Sequence, residues 1–418
     1  MRLLYLHQHY SGPEGTTATR SHALATALAA RGHEVTLACG RYDGAVTGLD
    51  GVFRQGRREG RVRGFRVVEH DIRCGNAMGF AARSAAFLRF AGRATHLALA
   101  EPFDLVIASS TPLTVVLPAL AARRLRGTPF LFEIRDPWPE LPRAMGGVPA
   151  PALAAMAGMA NAACRQAAAV VALSEGMAQT ALVRGAARDR VHVVPNGCDL
   201  DLFGPHIPAW RPAEAAPWEM LAVYAGAHGR ANGLDQLLDA AALLLARGEA
   251  RIRLLLVGEG SEKQRLQEAA VQRGLHNVSF LPPLGKRKLA TLLAGAQAGL
   301  HCLAPVGAFA EWTAPNKLMD YLAAGLPVIS NLPGHGARLL SGAEGAGACG
   351  IPVPPGDTAA LAEALGWMAT NPSLRLAMGR AAREQAVRRW DRRLLAHDFV
   401  GIVESLAEPA AEEALLAA

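Results

Sequence analysis

Eleven short apolar runs separated by stretches with helical spacing constrain this chain more than any other feature. Runs too apolar to alternate with polar residues are strands buried on both faces, and such strands pair in parallel across intervening helices. In the first half they fall at residues 3–6, 35–38, 105–108, 130–134, 170–173 and 191–194. After Asn196-Gly197 comes a stretch punctuated by Pro205, Pro208, Pro212 and Pro217, and the pattern restarts at 221–224, 254–257, 278–280, 299–303 and 328–330. Strand and helix repeated on both sides of a proline-rich break predict an α/β chain of two Rossmann-like, doubly wound domains. The length of 418 residues, beyond the size at which one core stops growing, agrees with that division. The predicted boundaries are 1–204 and 205–390, with 391–418 forming a last helix, over 392–406, and a tail.

The stretch from Pro315-Asn316-Lys317 through Asp320 to Gly325 and then Val328-Ile329-Ser330 reads as loop, short helix, glycine stop and buried strand. A helix that begins just after a strand offers free N–H groups to an anion, and Pro315 suits the first helical position, where its missing N–H costs nothing. Asp320, one turn further, falls where a carboxylate can accept hydrogen bonds from ribose hydroxyls. A nucleotide is the ligand this pattern predicts, and ligands of doubly wound sheets sit beyond the carboxyl ends of the strands, here in a cleft between the two domains.

Several phrases occur in a fixed order: Pro13-Glu14-Gly15 with Ala18-Thr19-Arg20, Arg31-Gly32-His33-Glu34-Val35-Thr36, Arg135-Asp136-Pro137-Trp138-Pro139-Glu140, Leu173-Ser174-Glu175-Gly176-Met177, Val194-Pro195-Asn196-Gly197-Cys198-Asp199 and Val257-Gly258-Glu259-Gly260. With the 315–330 stretch, this order resembles the large retaining glycosyltransferase group called family 4, and most closely its bacterial amino-sugar transferases for surface polysaccharides. The resemblance implies the GT-B architecture, in which the last helix returns to the first domain. It also implies a nucleoside-diphosphate sugar as donor, a glycan or lipid-linked acceptor on the first domain, and a hinge near 195–217. Neither metal nor any other cofactor is expected.

Residue by residue, the resemblance is incomplete. The wider family neutralises the pyrophosphate with an arginine just after a glycine and a lysine before a later glycine; after Gly226 those places hold Ala227 and Asn232. Arg230, two residues before Asn232, is the expected replacement, with Lys317 as the second cation, because a departing diphosphate needs positive charge nearby. The family also carries two glutamates eight positions apart. Asp320 matches the second and Trp312 the first, so that Glu311, beside it, or N–H groups around Thr313 to Asn316 would hold the donor sugar. Gly258 and Gly260 lie where the family places the nucleobase.

On the first domain, Gly12 and Gly15 belong to a loop opening a helix that runs to Ala30. Its N–H groups would contact phosphate or acceptor, the alternative being a tight turn that needs glycine for backbone freedom. Arg135 and Asp136 end the strand at 130–134, and Asp136 would receive the acceptor hydroxyl's proton or hold Arg135 in place, with structural pairing of the two as the bland alternative. His7 and His9 follow the first strand and are read as core or surface residues.

Charge is concentrated in residues 1–200, which hold 23 arginines and no lysine against 15 acidic residues, a balance of +8, while the remainder is 20 − 21 = −1. Arg54, Arg57, Arg58, Arg61, Arg63 and Arg66 crowd one segment, and Arg83, Arg89 and Arg93 punctuate an apolar helical stretch over 78–100. A basic amphipathic element can lie on an anionic membrane face, at about 1 kcal/mol per basic residue; a solvated arginine-rich face is the other reading, and both stay open. Nucleic acid is not an expected partner, since no aromatic-interleaved basic motif accompanies the charge. The uncharged run over 144–164 is too rich in Ala and Gly to span a membrane and reads as a buried or membrane-grazing helix. Six scattered cysteines without a Cys-x-x-Cys pair argue against a zinc site or a disulfide framework. No secretion signal is read at the start, so a cytoplasmic protein, peripheral on the inner membrane if the basic face binds lipid, is the expectation. A catalytically silent nucleotide-binding scaffold and a nucleotide-sugar epimerase of the same fold are the alternatives to transfer.

Overall fold

The computed structural model describes the chain except for residues 18, 76–77, 307–315, 344–346 and 407–418. It divides into two compact units, one comprising Met1–Asn196 and the chain from Arg393 onward, the other drawn from residues 197–392.

The first unit is built on a sheet of eight described strands: β1 Arg2–Leu6, β2 Glu34–Tyr42, β3 Arg57–Val62, β4 Phe65–Cys74, β5 Leu105–Ser109, β6 Phe130–Ile134, β7 Ala169–Ala172 and β8 Val191–Val193. Their spatial order is β3-β4-β2-β1-β5-β6-β7-β8, and every pairing is parallel except that of β3 with β4. Leu3, Leu4, Tyr5 and Leu6 of β1 are all fully buried, as expected of a central strand covered by helices on both faces.

The sequence pattern had shown six strands here. The β3–β4 hairpin was hidden because β3, Arg-Arg-Glu-Gly-Arg-Val, carries no apolar run. It is an edge strand whose arginines keep it soluble and deter pairing with other chains. Arg66 on β4 meets Glu59 on β3 at 2.7 Å and Glu101 at 2.8 Å, which accounts for part of the basic segment as structural ion pairs.

The second unit carries β9 Met220–Ala225, β10 Ile252–Val257, β11 Val278–Leu281, β12 Ala298–His301, β13 Val328–Ser330 and β14 Gly350–Pro352, in the order β11-β10-β9-β12-β13-β14, all parallel. Five of these strands were legible as apolar runs. β14 has three residues, beginning with Gly350, where a Cβ would lie 2.1 Å from the Val328 carbonyl oxygen. Both sheets reverse their winding at the first strand, between β1 and β5 and between β9 and β12. Each unit therefore has its own crevice at the carboxyl ends of those strands.

The helix Arg392–Ser405 packs Leu395, Ala396, Phe399, Val400 and Val403 among Leu3, Tyr5, Leu24, Leu28 and Val194 of the first unit. Phe399 is fully buried, a contribution of about 1.5–3 kcal/mol. Glu404 of this helix pairs with Arg31 at 3.0 Å and with His33 at 3.1 Å. The uncharged run over 144–164 largely coincides with the helix Ala150–Gln166, which buries Ala160, Ala163 and Cys164. Among the described residues no helix is long and apolar enough to cross a membrane.

Candidate functional site

In the second unit the crevice is shaped by the turn after β9 and by the helix Asn316–Ala323 that follows β12. Tyr321, buried on that helix, accepts a hydrogen bond from the Ala225 N–H at 2.8 Å and so fixes the helix against the end of β9. One turn earlier, the Lys317 ammonium donates to the Tyr224 hydroxyl at 2.9 Å and to Asn232 Oδ1 at 3.1 Å, and sits 4.2 Å from the centre of the Tyr224 ring. Tyr224 can accept this bond because its own proton goes to the Ala227 carbonyl at 2.8 Å. A Cβ at Gly226 would lie 3.0 Å from Lys317 Nζ, so glycine there leaves the ammonium its place. Burial lowers the Lys317 pKa to about 8, with Cys302 opposing the shift. The structure thus brings Gly226, Asn232 and Lys317 together, with the half-buried Asn316 at the start of the same helix.

Two expected contributors, Arg230 and Asp320, are placed differently. The Arg230 side chain is 87% exposed and lies 3.7 Å from Glu262; the 3-10 turn Arg230–Asn232 aims Asn232 at Lys317 and leaves Arg230 in solvent. Asp320 is buried and its carboxylate is taken by Lys286, so its lone pairs serve an internal ion pair instead of a ribose. Gly258 and Gly260 are demanded by packing: a Cβ on Gly258 would fall 1.9 Å from the Gly226 carbonyl oxygen, and one on Gly260 would fall 2.4 Å from that of His228. The His228 N–H donates to the Glu259 carbonyl at 2.8 Å, and burial, then Lys263, lowers its pKa to about 4, so the imidazole is neutral at pH 7. Glu311, Trp312 and the amides of 313–315 lie outside the described residues.

Asp199-Leu200-Asp201 is an Asp-x-Asp triplet, a pattern that can hold a divalent metal. Asp199 is 3.1 Å from Arg392, and burial raises its pKa. Among the described residues no group of three or more His, Cys, Asp or Glu side chains is arranged to hold a metal ion.

In the first unit the glycine loop after β1 closes on itself. The Gly12 N–H donates to the Val46 carbonyl at 2.8 Å and the Gly15 N–H to the Gly12 carbonyl at 3.2 Å, so neither amide is free for phosphate. A Cβ at Gly15 would meet Ser11 Oγ at 2.2 Å, which makes this the tight turn that requires glycine. Arg20, on the first turn of the next helix, is 4% exposed. It donates to Glu133 Oε1 at 2.8 Å and to the carbonyls of Pro195 and Val194 at 2.6 and 2.9 Å. Burial opposes ionisation of Glu133, yet Arg20, then Arg135 and the Ser109 hydroxyl, hold its pKa below the usual range.

At the end of β6, Arg135 donates from Nη1 to His7 Nε2 at 2.9 Å and from its backbone N–H to Ser110 Oγ at 3.0 Å. Burial, then the Arg135 charge, pushes the His7 pKa well below its ordinary value, so His7 is a neutral acceptor. Asp136 accepts a 2.5 Å hydrogen bond from the Thr111 hydroxyl, and no ion pair joins Arg135 to Asp136 among the described residues. Sequence reasoning missed Thr111 and the Ser109-Ser110-Thr111 run; its only signal was three hydroxyls directly after an apolar strand.

Two doubly wound units, each with its own switch-point crevice, define the class as a GT-B fold. A family profile described as "Glycosyl transferase 4-like domain" matches residues 15–197, and another, "Glycosyl transferases group 1", matches residues 219–371. The chain belongs to the family 4-like GT-B glycosyltransferases. It is 34% identical over 231 residues to the D-inositol 3-phosphate glycosyltransferase of Nocardia farcinica, a match over 53% of this chain and 48% of that protein. It is 31% identical over 177 residues to the phosphatidyl-myo-inositol mannosyltransferase of Mycobacterium leprae, over 42% of this chain and 44% of that protein. The chain thus aligns with about half the length of these curated relatives. In fold it is similar to Anabaena Alr3699/HepE, solved in complex with UDP-glucose, with a TM-score of 0.66, 18% identity, and coverage of 98% of this chain and 100% of the other.

Proposed function

We propose that this protein transfers a sugar, with retention of anomeric configuration, from a nucleoside-diphosphate sugar to a lipid-linked glycan acceptor in polysaccharide biosynthesis. The observation that carries this reading is Lys317, an ammonium set at the switch point of the second unit beside the N-terminus of the helix Asn316–Ala323. There it neutralises the diphosphate as the bond from the sugar's anomeric carbon to phosphate oxygen breaks and the electron pair passes to the phosphate. The departing oxygen takes the acceptor hydroxyl's proton on the face it leaves, so retention needs no enzyme nucleophile. Asp136, half-buried at the end of β6, orients the acceptor hydroxyl.

A lipid-linked acceptor agrees with the helix Phe80–Ala100, which exposes Phe80 (50%), Leu88 (58%), Arg89 and Arg93. An exposed apolar strip flanked by arginines suits peripheral contact with an anionic membrane. The name of the mycobacterial relative, a phosphatidyl-myo-inositol mannosyltransferase, supports the same reading. The test is release of nucleoside diphosphate from UDP-glucose, UDP-N-acetylglucosamine and GDP-mannose, each with and without a bacterial total-lipid extract, and the anomeric configuration of any glycolipid formed. Lipid-dependent release with a retained anomer supports the proposal. Conversion of donor without acceptor indicates an epimerase, and binding without turnover indicates a scaffold.

A further inference from the structure

The hydroxyl that reaches Asp136 belongs to a residue in an unusual backbone conformation. Thr111, two residues beyond the end of β5, has φ = +108°, a region that β-branched residues avoid because Cβ crowds the neighbouring carbonyl. Gln55 and Arg63, the other described non-glycine residues with positive φ, flank strand β3 at φ 51° and 47°, where left-handed turns are ordinary. Thr111 instead stands at the carboxyl end of a central strand, at the switch point of its sheet, where strained conformations persist only if the surroundings over-determine them. The surroundings do so here. Val106, Ile107, Ala108, Ser109 and Ser110 are buried ahead of it, Leu113 and Val115 are buried after it, and the Ser110 N–H donates to the Glu133 carbonyl at 2.9 Å.

The result is a ladder of three consecutive hydroxyls, each engaged on β6 or the residues after it. Ser109 donates to Glu133 at 2.5 Å, Ser110 accepts the Arg135 N–H at 3.0 Å, and Thr111 donates to Asp136 at 2.5 Å. Arg135 is held by His7 and does not compete for Asp136. Both Thr111 and Asp136 are half-buried, and the Thr111 hydroxyl engages Oδ2 of the carboxylate.

We infer that Thr111 is a positioning residue for Asp136: its strained backbone aims the hydroxyl so that one carboxylate oxygen is occupied and the other is presented to the acceptor. This rests on the proposed acceptor-orienting role of Asp136, and the two can fail separately. The experiment is a double-mutant cycle in the full chain on nucleoside diphosphate release. It uses whichever of UDP-glucose, UDP-N-acetylglucosamine and GDP-mannose the unaltered protein turns over fastest with total-lipid extract. Asp136→Asn is expected to lower kcat substantially. Thr111→Val, which keeps the β-branch but removes the donor, is expected to lower kcat by about tenfold while leaving donor binding unchanged. Thr111→Ser should retain most of the rate. In the Asp136→Asn background, Thr111→Val should change kcat by less than about twofold.

Full activity of Thr111→Val beside an impaired Asp136→Asn overturns the inference alone. An equal loss from Thr111→Val in both backgrounds also overturns it, because damage to the fold ignores what stands at residue 136. Full activity of Asp136→Asn defeats the acceptor-orienting reading, and an unaltered protein with no release from any donor defeats the proposed function and this inference together.

Discussion

Lys317 and Asn232 meet at 3.1 Å although 85 residues separate them, one at the head of the helix after β12 and the other in the turn after β9. Asn232 occupies the place where family 4 enzymes are expected to carry a lysine, and its carboxamide oxygen receives an ammonium that arrives from the opposite side of the crevice. The positive charge is re-supplied at the same spot from another element.

The first prediction concerns pH. With its pKa lowered to about 8 by burial, Lys317 loses its charge as pH rises from 7 to 9, so nucleoside diphosphate affinity should fall over that window and Lys317→Met should abolish the dependence. For the unliganded protein the sign reverses. Between about pH 8 and the unfolded value of 10.5 the unfolded chain binds more protons than the folded one, so the Lys317 contribution to stability rises with pH. Titration calorimetry and thermal melts across pH 7–9, compared with Lys317→Met, check both signs; affinity that is flat in pH contradicts the assignment.

Breaking the Arg20–Glu133 pair should be costly, because removal of one partner leaves a buried charge uncompensated. Arg20→Ala is expected to destabilise the first unit by about 3–5 kcal/mol in denaturant unfolding, since it also strips donors from the Val194 and Pro195 carbonyls. Glu133 has a folded-state pKa below its unfolded one. Its share of stability is therefore present above the unfolded value of 4.5 and is lost as pH falls through the folded value. Removal with no effect on stability would contradict the burial described here.

Membrane contact is predicted to need both the apolar and the basic side chains on the exposed face of the helix Phe80–Ala100. The unaltered protein should float with phosphatidylglycerol-containing vesicles at low salt, less at high salt, and not with pure phosphatidylcholine. Leu88→Glu, at a position 58% exposed, and the pair Arg89→Glu with Arg93→Glu should each abolish flotation without altering the thermal midpoint by more than a few degrees. Equal flotation of these variants would place the contact elsewhere or remove it.

Much of the fold was legible because buried parallel strands announce themselves as apolar runs: all eleven that were read coincide with observed strands to within two residues at most ends. β3, β4 and β14 escaped: β3 because an edge strand of arginines has no apolar run, β4 because Arg66, Glu69, His70 and Asp71 interrupt its apolar residues, and β14 because three residues beginning with glycine carry too little pattern. β2 was read at four residues and runs to nine, since Gly40 and Arg41 interrupt its apolar core. The site was legible at the level of segments and not of side chains. Spacing located the turn after β9 and the helix at 316 but could not say that Arg230 would point into solvent and Lys317 inward, because that depends on the 3-10 turn and on Tyr224 receiving the ammonium. The amides of Gly12 and Gly15 were misjudged for a similar reason: their acceptors, Val46 and Gly12 itself, belong to loop geometry that periodicity does not encode.

Isothermal titration of UDP, GDP and ADP into the unaltered protein, Lys317→Met and Arg230→Ala decides whether Lys317 holds the diphosphate. One diphosphate is expected to bind, Lys317→Met to weaken it about 10- to 100-fold through loss of charge-assisted hydrogen bonds, and Arg230→Ala to change it by no more than about twofold. Binding untouched by Lys317→Met but lost in Arg230→Ala would contradict that role for Lys317.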